Sequence, residues 1–301
     1  YTSGGDLDTS FGMGGLALTG YPLQDNGAGV ALQSDGKVLV GGYAWSGGNY
    51  DFVVTRYNTD GSLDTSFGGG DGVATIAMGP GSDLGYEVLL QPDGKILMVG
   101  AASNGVDNDF AMTRLNSDGT LDTSFGGGDG IVTTDVSVEG DIARAAVIQP
   151  DGKIVLGGFA RIAGDNNFAL VRYNSDGTID TTFGGGDGIT TTAVPSFHSH
   201  INDIALQDDG KIVAFGDSQN GGGSDFAVVR YNADGSLDTS FGGGDGIAIT
   251  TVGTGNSEQE SILVQSDGKI LAGGYAYNGT DYDFAVVRYN ADGTLDTSFG
   301  G

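Results

Sequence analysis

The chain has 301 residues, of which 58 are glycine and none is cysteine, and 39 acidic side chains against 12 basic ones give a net charge of −27. This charge disfavours direct binding to nucleic-acid phosphates or to an anionic membrane surface. The lack of cysteine excludes disulfides, a thiol nucleophile and Cys-ligated metal sites, and no apolar run has the length of a membrane span.

A 58-residue period organises the sequence. Five Gln-x-Asp-Gly-Lys pentads end at Lys37, Lys95, Lys153, Lys211 and Lys269. An arginine lies 19 residues after each of these lysines, and only Arg144 and Arg161 stand outside this framework. The segment Asp-Thr-Ser/Thr-Phe-Gly, which we call the joint, occurs six times. We therefore expect a single domain, 1–301, with repeats at about 13–68, 69–126, 127–184, 185–242 and 243–301, and with residues 1–12 as a surplus joint.

Each repeat is predicted to hold four short strands, as the second repeat illustrates. The first strand covers 73–76 after the Gly-rich joint, the second ends at Gln91, the third starts at Lys95 and the fourth covers 110–115. These segments are rich in β-branched and aromatic residues and are bounded by turn formers. The pentad between the second and third strands predicts a hairpin turn, in which Gly94 adopts a positive φ.

This pattern predicts an all-β protein, and four-stranded repeats of this length predict a five-bladed β-propeller. A linear solenoid is the alternative, but its repeats are usually shorter and it needs polar caps that neither end of the chain supplies.

The segments Arg172–Gly184 and Gln149–Ile154 resemble the bacterial delta-60 repeat, a propeller-type repeat of secreted and surface proteins. Both signatures recur in phase in all five repeats, with small departures: the first repeat is two residues shorter, Asp208 replaces the Ser or Pro of the turn, and Leu115 replaces Tyr. The resemblance implies a propeller in an extracellular or cell-surface setting, and it implies no activity and no catalytic residues. The sequence opens at Tyr1 without a recognisable export signal, so we expect that signal to be removed or absent.

The segment 56–64, which ends at the first residue of the second joint, matches part of a calcium-loop pattern, Asp-x-Asp-x-Asp-Gly-x-x-Asp. Asn58, Asp60 and Asp64 fall on ligand positions, and carboxylate and amide oxygens are suitable Ca²⁺ ligands. The first ligand position, however, falls on Arg56, whose guanidinium could bridge the carboxylates instead. Two interpretations therefore stand: a purely structural turn, or Ca²⁺ bound at Asn58, Asp60, Asp64 and their repeat equivalents. The sequence requires no other cofactor.

The segments that differ among the repeats are predicted to share one face. They are the loops between the first and second strands, such as 21–25, 78–82, 194–198 and 253–256, and the loops between the third and fourth strands, such as 45–50 and 161–165. In one of these loops His198 and His200 could share a side with Asp203, but no spacing fixes a third metal ligand.

Aromatic residues of the variable face occur in the first and last repeats, which become neighbours when a ring closes. They are Trp45, Tyr50, Tyr277 and Tyr282, with Tyr43 and Tyr275 behind them. We predict one exposed aromatic cluster suited to a sugar or to a protein anchor. The alternative is that these rings pack across the closure seam and seal it.

The expected function is a non-catalytic binding or recognition module whose variable face contacts a carbohydrate or protein ligand. Nucleic-acid and membrane-inserted partners are not expected. The alternatives are a structural spacer or an assembly unit that self-associates through the surplus joint, and, more remotely, a polysaccharide hydrolase or lyase. Catalysis is disfavoured because the carboxylates are turn residues repeated fivefold, whereas an active site needs one asymmetric group of side chains.

Overall fold

A computed structural model describes residues 1–20, 24–195, 197–219 and 221–300. Every regular element in these ranges is a β-strand, which confirms the predicted all-β class. No helix in the described ranges is long and apolar enough to cross a membrane. The chain forms two compact units, Tyr1–Thr134 and Asp135–Gly301.

The first unit contains two four-stranded antiparallel sheets, ordered β1-β2-β3-β4 and β5-β6-β7-β8. Their strands are β1 (Asp25–Leu32), β2 (Val38–Trp45), β3 (Tyr50–Tyr57), β4 (Val73–Ile76), β5 (Asp83–Leu90), β6 (Ile96–Ser103), β7 (Asn108–Leu115) and β8 (Ile131–Thr134).

The second unit contains three antiparallel sheets, two with four strands and one with three described strands. The first is β9 (Asp141–Ile148), β10 (Ile154–Ile162), β11 (Asp165–Tyr173) and β12 (Ile189–Thr192). The second is β13 (Ile201–Leu206), β14 (Ile212–Gln219), β15 (Ser224–Tyr231) and β16 (Ile247–Thr250). The third is β17 (Ser257–Val264), β18 (Ile270–Tyr277) and β19 (Tyr282–Tyr289). Five sheets of this kind are the five blades that the sequence predicts.

The sheet boundary falls one strand later than the sequence-repeat boundary. β4 follows the joint at Phe67 and so begins the second sequence repeat, yet it pairs with β3 and not with β5. The joint causes this offset because it folds back on the end of β3: the Asp64 N–H donates to the Arg56 carbonyl, and the Arg56 N–H donates to the Gly72 carbonyl. The chain therefore leaves the joint antiparallel to the strand that entered it.

The core lies between neighbouring sheets of each unit. The third strand of a four-stranded sheet is buried on both faces, as the fully buried neighbours Phe226 and Ala227 of β15 show. The joint phenylalanine fills the space beside it: Phe67, Phe183 and Phe241 are also fully buried and belong to these core clusters. Each joint thus supplies both a chain reversal and a core side chain.

Candidate ligand-binding site

One end of the sheets carries a repeated ion network, which the third sequence repeat illustrates. Asp180 accepts hydrogen bonds from Lys153 Nζ and Arg172 Nε, both 2.7 Å away, and its other oxygen accepts from the N–H and hydroxyl of Thr182. The Arg172 guanidinium lies 4.6 Å from the centre of the Phe183 ring and donates to the Ala233 carbonyl beyond the next sheet's third strand. The Asp–Arg pair recurs at Asp64, Asp122, Asp238 and Asp296. This end is therefore a structural framework.

Hydrogen bonds occupy both oxygens of Asp64 and one oxygen of Asp60, which are among the oxygens that the calcium interpretation requires. Asp64 Oδ2 accepts from Lys37 Nζ and from Arg56 Nε at 2.7 Å, and Asp60 Oδ1 accepts from the N–H and hydroxyl of Ser62. The hydrogen bond from Lys37, followed by that from Ser66, holds the pKa of Asp64 well below its usual range. A calcium ion at this position would have to displace a lysine and an arginine, and the calcium interpretation stays a prediction.

The first copy of the joint lies in the first unit and makes the contacts of an inter-sheet joint. The Gly12 N–H donates to the Asp60 carbonyl, as the Gly68 N–H donates to the Asp118 carbonyl. The last copy lies in the second unit, where Asp296 pairs with Lys269 and Arg288. Its Phe299 is 40% exposed, unlike the fully buried joint phenylalanines. Self-association through a surplus joint stays a prediction.

The other end of the sheets carries the variable loops, because antiparallel pairing puts alternate connections on opposite ends. In the second unit each connection into a first strand packs on the β-hairpin loop of the same sheet. Ser137 Oγ donates to the Arg161 carbonyl at 2.6 Å, and the Thr254 N–H donates to the Tyr277 carbonyl at 2.8 Å. Residues 21–23 and 196, which the sequence assigns to variable loops, lie outside the described residues.

The aromatic residues of the variable face form edge-to-face groups within each unit. In the first unit Trp45 and Tyr50 lie opposite each other on β2 and β3, with ring centres 5.3 Å apart, and Tyr43 lies 5.4 Å from Tyr50. All three side chains are half-buried, and the Tyr50 hydroxyl donates to Gln24 Oε1.

The second unit repeats this geometry on β18 and β19. Tyr282 lies 5.4 Å from both Tyr275 and Tyr277, again edge to face, and is half-exposed. The single cluster that would join the two groups stays a prediction.

A β-bulge recurs at the same position in the first strand of every sheet. There the pairing register skips one residue: Ala28, Tyr86, Arg144, Asn202 or Glu260. A glycine on the second strand permits the close approach, since a Cβ at Gly216 would lie 1.7 Å from the His200 carbonyl oxygen. Bulges re-aim side chains, so the same backbone device presents a different side chain in each repeat.

In the second unit two bulged residues line a polar cavity of about 450 Å³ at the variable end. Arg144 Nη1 donates to Asn202 Oδ1 at 2.6 Å, and Asn202 Nδ2 donates to the Gln259 carbonyl at 2.9 Å. Arg144 Nε is buried and has no hydrogen-bond partner among the described residues. The other side chains of the lining are His200, Asp217, Gln219, Ser224, Asn256, Glu258 and Gln259.

His200 and Asp217 form an ordered pair in the wall of this cavity. His200 Nδ1 lies 3.0 Å from Asp217 Oδ1, and His200 Nε2 lies 2.7 Å from Asn166 Nδ2. Burial raises the pKa of Asp217, but the hydrogen bonds and charge of His200 outweigh burial and hold that pKa below its usual value. Because both ring nitrogens have partners, the imidazole is held in place and neither nitrogen is open to a substrate.

The structure pairs His200 with Asp217 and not with Asp203, the carboxylate that the sequence places beside the two histidines. Asp203 Oδ2 instead accepts from the Ile262 N–H at 2.8 Å and the Ser261 hydroxyl at 2.9 Å, so it links the first strands of two sheets.

The sequence carries a signal for Asp217, although motif and spacing patterns do not single it out. Asp217 is a carboxylate at a repeat position that elsewhere holds Tyr43, Ala101, Phe159 or Tyr275. Asn202 and Gln259 carry no comparable signal, because polar residues are common in their strands.

Antiparallel blades, repeated joints and a variable end together define a β-propeller, and the comparisons with known proteins agree. The model of the family "domain of unknown function (DUF5122) beta-propeller" matches residues 33–67, 91–125, 149–183, 207–241 and 265–299, more than half of the chain. The chain therefore belongs to this β-propeller family. No curated protein matches it.

Solved structures with a similar fold differ widely in function. Drosophila semaphorin 2a is 10% identical to this chain, with a TM-score of 0.54. The match covers 89% of this chain and 49% of the semaphorin, so the chain spans about half of that protein. A catalytically inactive virginiamycin B lyase from Staphylococcus aureus with quinupristin is 13% identical with a TM-score of 0.43, and the match covers 90% of this chain and 94% of the lyase. A glycosyl hydrolase from Bacteroides ovatus is 11% identical with a TM-score of 0.37, and the match covers 90% of this chain and 86% of the hydrolase. At these identities the similarity shows the fold alone.

Proposed function

We propose that this protein is a non-catalytic binding module of the extracellular space or cell surface, whose variable face contacts a carbohydrate or protein ligand. The observation that carries the proposal is the recurring bulge. One backbone position presents five different side chains, and in the second unit two of them, Arg144 and Asn202, line a polar cavity.

The contrast between the two ends of the sheets supports a recognition role. The framework end repeats one ion network, so its side chains have a structural explanation. The variable end carries the cavity and the edge-to-face aromatic groups. Binding residues occur disproportionately on loops held by a rigid scaffold.

The arrangement of the titratable groups supports binding over catalysis. The joint carboxylates are ion-paired with arginine, and both nitrogens of His200 have partners. A general base needs a nitrogen or oxygen within reach of the proton that it abstracts.

The test combines binding to a glycan array with a pull-down of protein partners from the extracellular and cell-surface fraction of the source cell. The variants are Arg144→Ala, Trp45→Ala and Tyr277→Ala, and the matched control is Asp151→Ala, at an exposed turn of the framework end. We expect at least one variable-face variant to lose binding while the control retains it. Binding that is lost only in the control would contradict the proposal.

A second candidate function, assembly of copies, rests on the exposed edge of β19. Phe284 is 99% exposed and Val286 56% exposed, whereas the equivalent Phe226 and Val228 of β15 are fully buried. β15 pairs with a fourth strand, and β19 has no fourth strand among the described residues. An exposed strand edge is a template for strand addition.

The segment that follows the first joint, residues 16–19, is the repeat equivalent of a fourth strand. The Tyr57 hydroxyl donates to Thr19 Oγ1 as the Tyr231 hydroxyl donates to Thr192 Oγ1 in β12. Assembly would place this segment of one copy against β19 of a second copy, with Thr19 opposite Phe284, as Thr250 lies opposite Phe226.

Disulfide cross-linking can test this assembly, because the chain has no cysteine of its own to form other disulfides. Thr19→Cys protein is mixed with Phe284→Cys protein under mild oxidation, with Thr19→Cys and Asp151→Cys as the control pair. A disulfide-linked dimer in the first mixture alone supports assembly, and its absence overturns this candidate.

A further inference from the structure

We infer that the cavity lined by Arg144 and Asn202 binds a neutral, hydroxyl-rich ligand, a saccharide unit or polyol. This inference rests on the proposed binding function and names the ligand class for one site of the variable face.

The size fits a small molecule. The cavity volume of about 450 Å³ lies within the range of roughly 300–1,000 Å³ that small-molecule sites occupy. A protein partner would gain most from a broad surface with buried apolar anchors. The cavity offers a concave polar space instead.

The lining opposes an apolar ligand. Its side chains are amides, carboxylates, a guanidinium, an imidazole and a serine hydroxyl, and the remaining lining residues are glycines. With no aliphatic side chain in this lining, an apolar ligand would bury its surface against polar atoms and gain little from leaving water.

The charges of the lining favour a neutral ligand. Asp217 is already paired with His200 and accepts from Gln219 Nε2 at 3.1 Å. The other charged side chains of the lining are Arg144 and the exposed Glu258, so the lining holds two carboxylates and one guanidinium, a balance that opposes an anion. A strongly anionic ligand would in addition be repelled by the net charge of −27.

The hydrogen-bonding atoms of the lining include both donors and acceptors. Arg144 Nε is a buried donor with no hydrogen-bond partner in the described part of the chain. Gln259 uses its amide Nε2 as donor to the Asp225 carbonyl and to Ser257, which directs its Oε1 as the acceptor. A hydroxyl both donates and accepts, so adjacent hydroxyls of a sugar or polyol match this mixture better than a group with one role.

The experiment measures binding to immobilised oligosaccharides of three classes: neutral, uronic-acid-containing and amino-sugar. The variants are Arg144→Gln and Glu258→Gln, and the matched control is Glu260→Gln, a bulged residue that does not line the cavity. The Arg144 guanidinium also packs near Phe159, so replacing Arg144 could disturb the fold. Glu258→Gln is therefore included as a second variant, and circular dichroism checks the fold of each variant.

We expect binding to at least one neutral oligosaccharide, reduced about tenfold or more in Arg144→Gln or Glu258→Gln and unchanged in Glu260→Gln. Binding confined to the acidic or amino-sugar probes, unchanged neutral binding in both variants, or no binding to any probe overturns the inference. If the pull-down captures a protein partner whose binding needs the variable face, the proposed function stands and the saccharide inference alone fails. Ligand binding through the framework end would refute both.

Discussion

Replacing Asp180 with Asn should weaken the third joint by a predictable amount. The change preserves the side chain's volume and removes its charge. Arg172 would then remain as a cation with only 8% of its side chain exposed and without the carboxylate that pairs with it, while Asp180 itself is 5% exposed. Phe183, over which the guanidinium lies, is fully buried, so water cannot easily replace the lost carboxylate.

Two estimates of the loss agree. Asp180 accepts one charged hydrogen bond from Lys153 and one from Arg172, and hydrogen bonds to charged groups contribute about 1.5–3 kcal/mol each. Removing one partner of a buried ion pair costs about 3–5 kcal/mol. Since Lys153 is 27% exposed and can regain water, we expect Asp180→Asn to lower the free energy of unfolding by about 3–4 kcal/mol.

The matched control is Asp296→Asn at the last joint of the same unit. Arg288 is 22% exposed and Phe299 is 40% exposed, so the stranded guanidinium can be hydrated and the loss should be clearly smaller. Urea unfolding followed by far-UV circular dichroism measures both variants, and similar slopes make their midpoints comparable. A loss under about 1 kcal/mol in Asp180→Asn, the level of an exposed pair, or equal losses in the two variants, would refute this reasoning.

Three further predictions concern acid, calcium and the joint glycines. Hydrogen bonds, first of all from lysine, hold the pKa of Asp64 and of Asp296 below the usual value for aspartate. Their stabilisation is therefore complete above about pH 5 and is lost as the pH falls. The melting temperature should be constant between about pH 5 and 7 and drop steeply below about pH 4, and a constant melting temperature in acid would contradict this prediction. Excess EDTA at matched ionic strength should leave the melting midpoint unchanged, because lysine and arginine already donate hydrogen bonds to the joint carboxylates. A melting midpoint lowered by EDTA would establish a structural metal ion. Gly184→Ala should lower the melting midpoint more than Gly185→Ala. A Cβ at Gly184 would lie 1.8 Å from the Ile189 carbonyl oxygen, whereas a Cβ at Gly185 would meet open space and cause only the strain of a positive φ. Equal melting midpoints of the two variants would show that the close contact relaxes.

The five-bladed all-β architecture could be read from the sequence because its signals are local and repeated. A pentad specifies its own hairpin turn through residues that are adjacent in the chain, as the positive φ of Gly94 shows. A bridge from Arg56 to a carboxylate is one of the two interpretations that the sequence left open, and the structure shows Arg56 Nε donating to Asp64, eight residues away.

The candidate site could be predicted only in part. The sequence located the variable face from the contrast between constant and changing segments. It did not reveal the bulge, whose cause is a glycine such as Gly216 on the neighbouring strand, or the sheet boundary one strand beyond the repeat boundary.

Sequence alone therefore determined the strands and the turns of this protein, since each depends on residues within about one repeat. The tertiary structure decided which strand completes each sheet and which side chains meet at the cavity. Arg144 and Asn202 are 58 residues apart, and Asn202 and Gln259 are 57 apart. Residues at such separations meet only after sheets pack side by side, and that packing depends on buried surfaces of the whole unit.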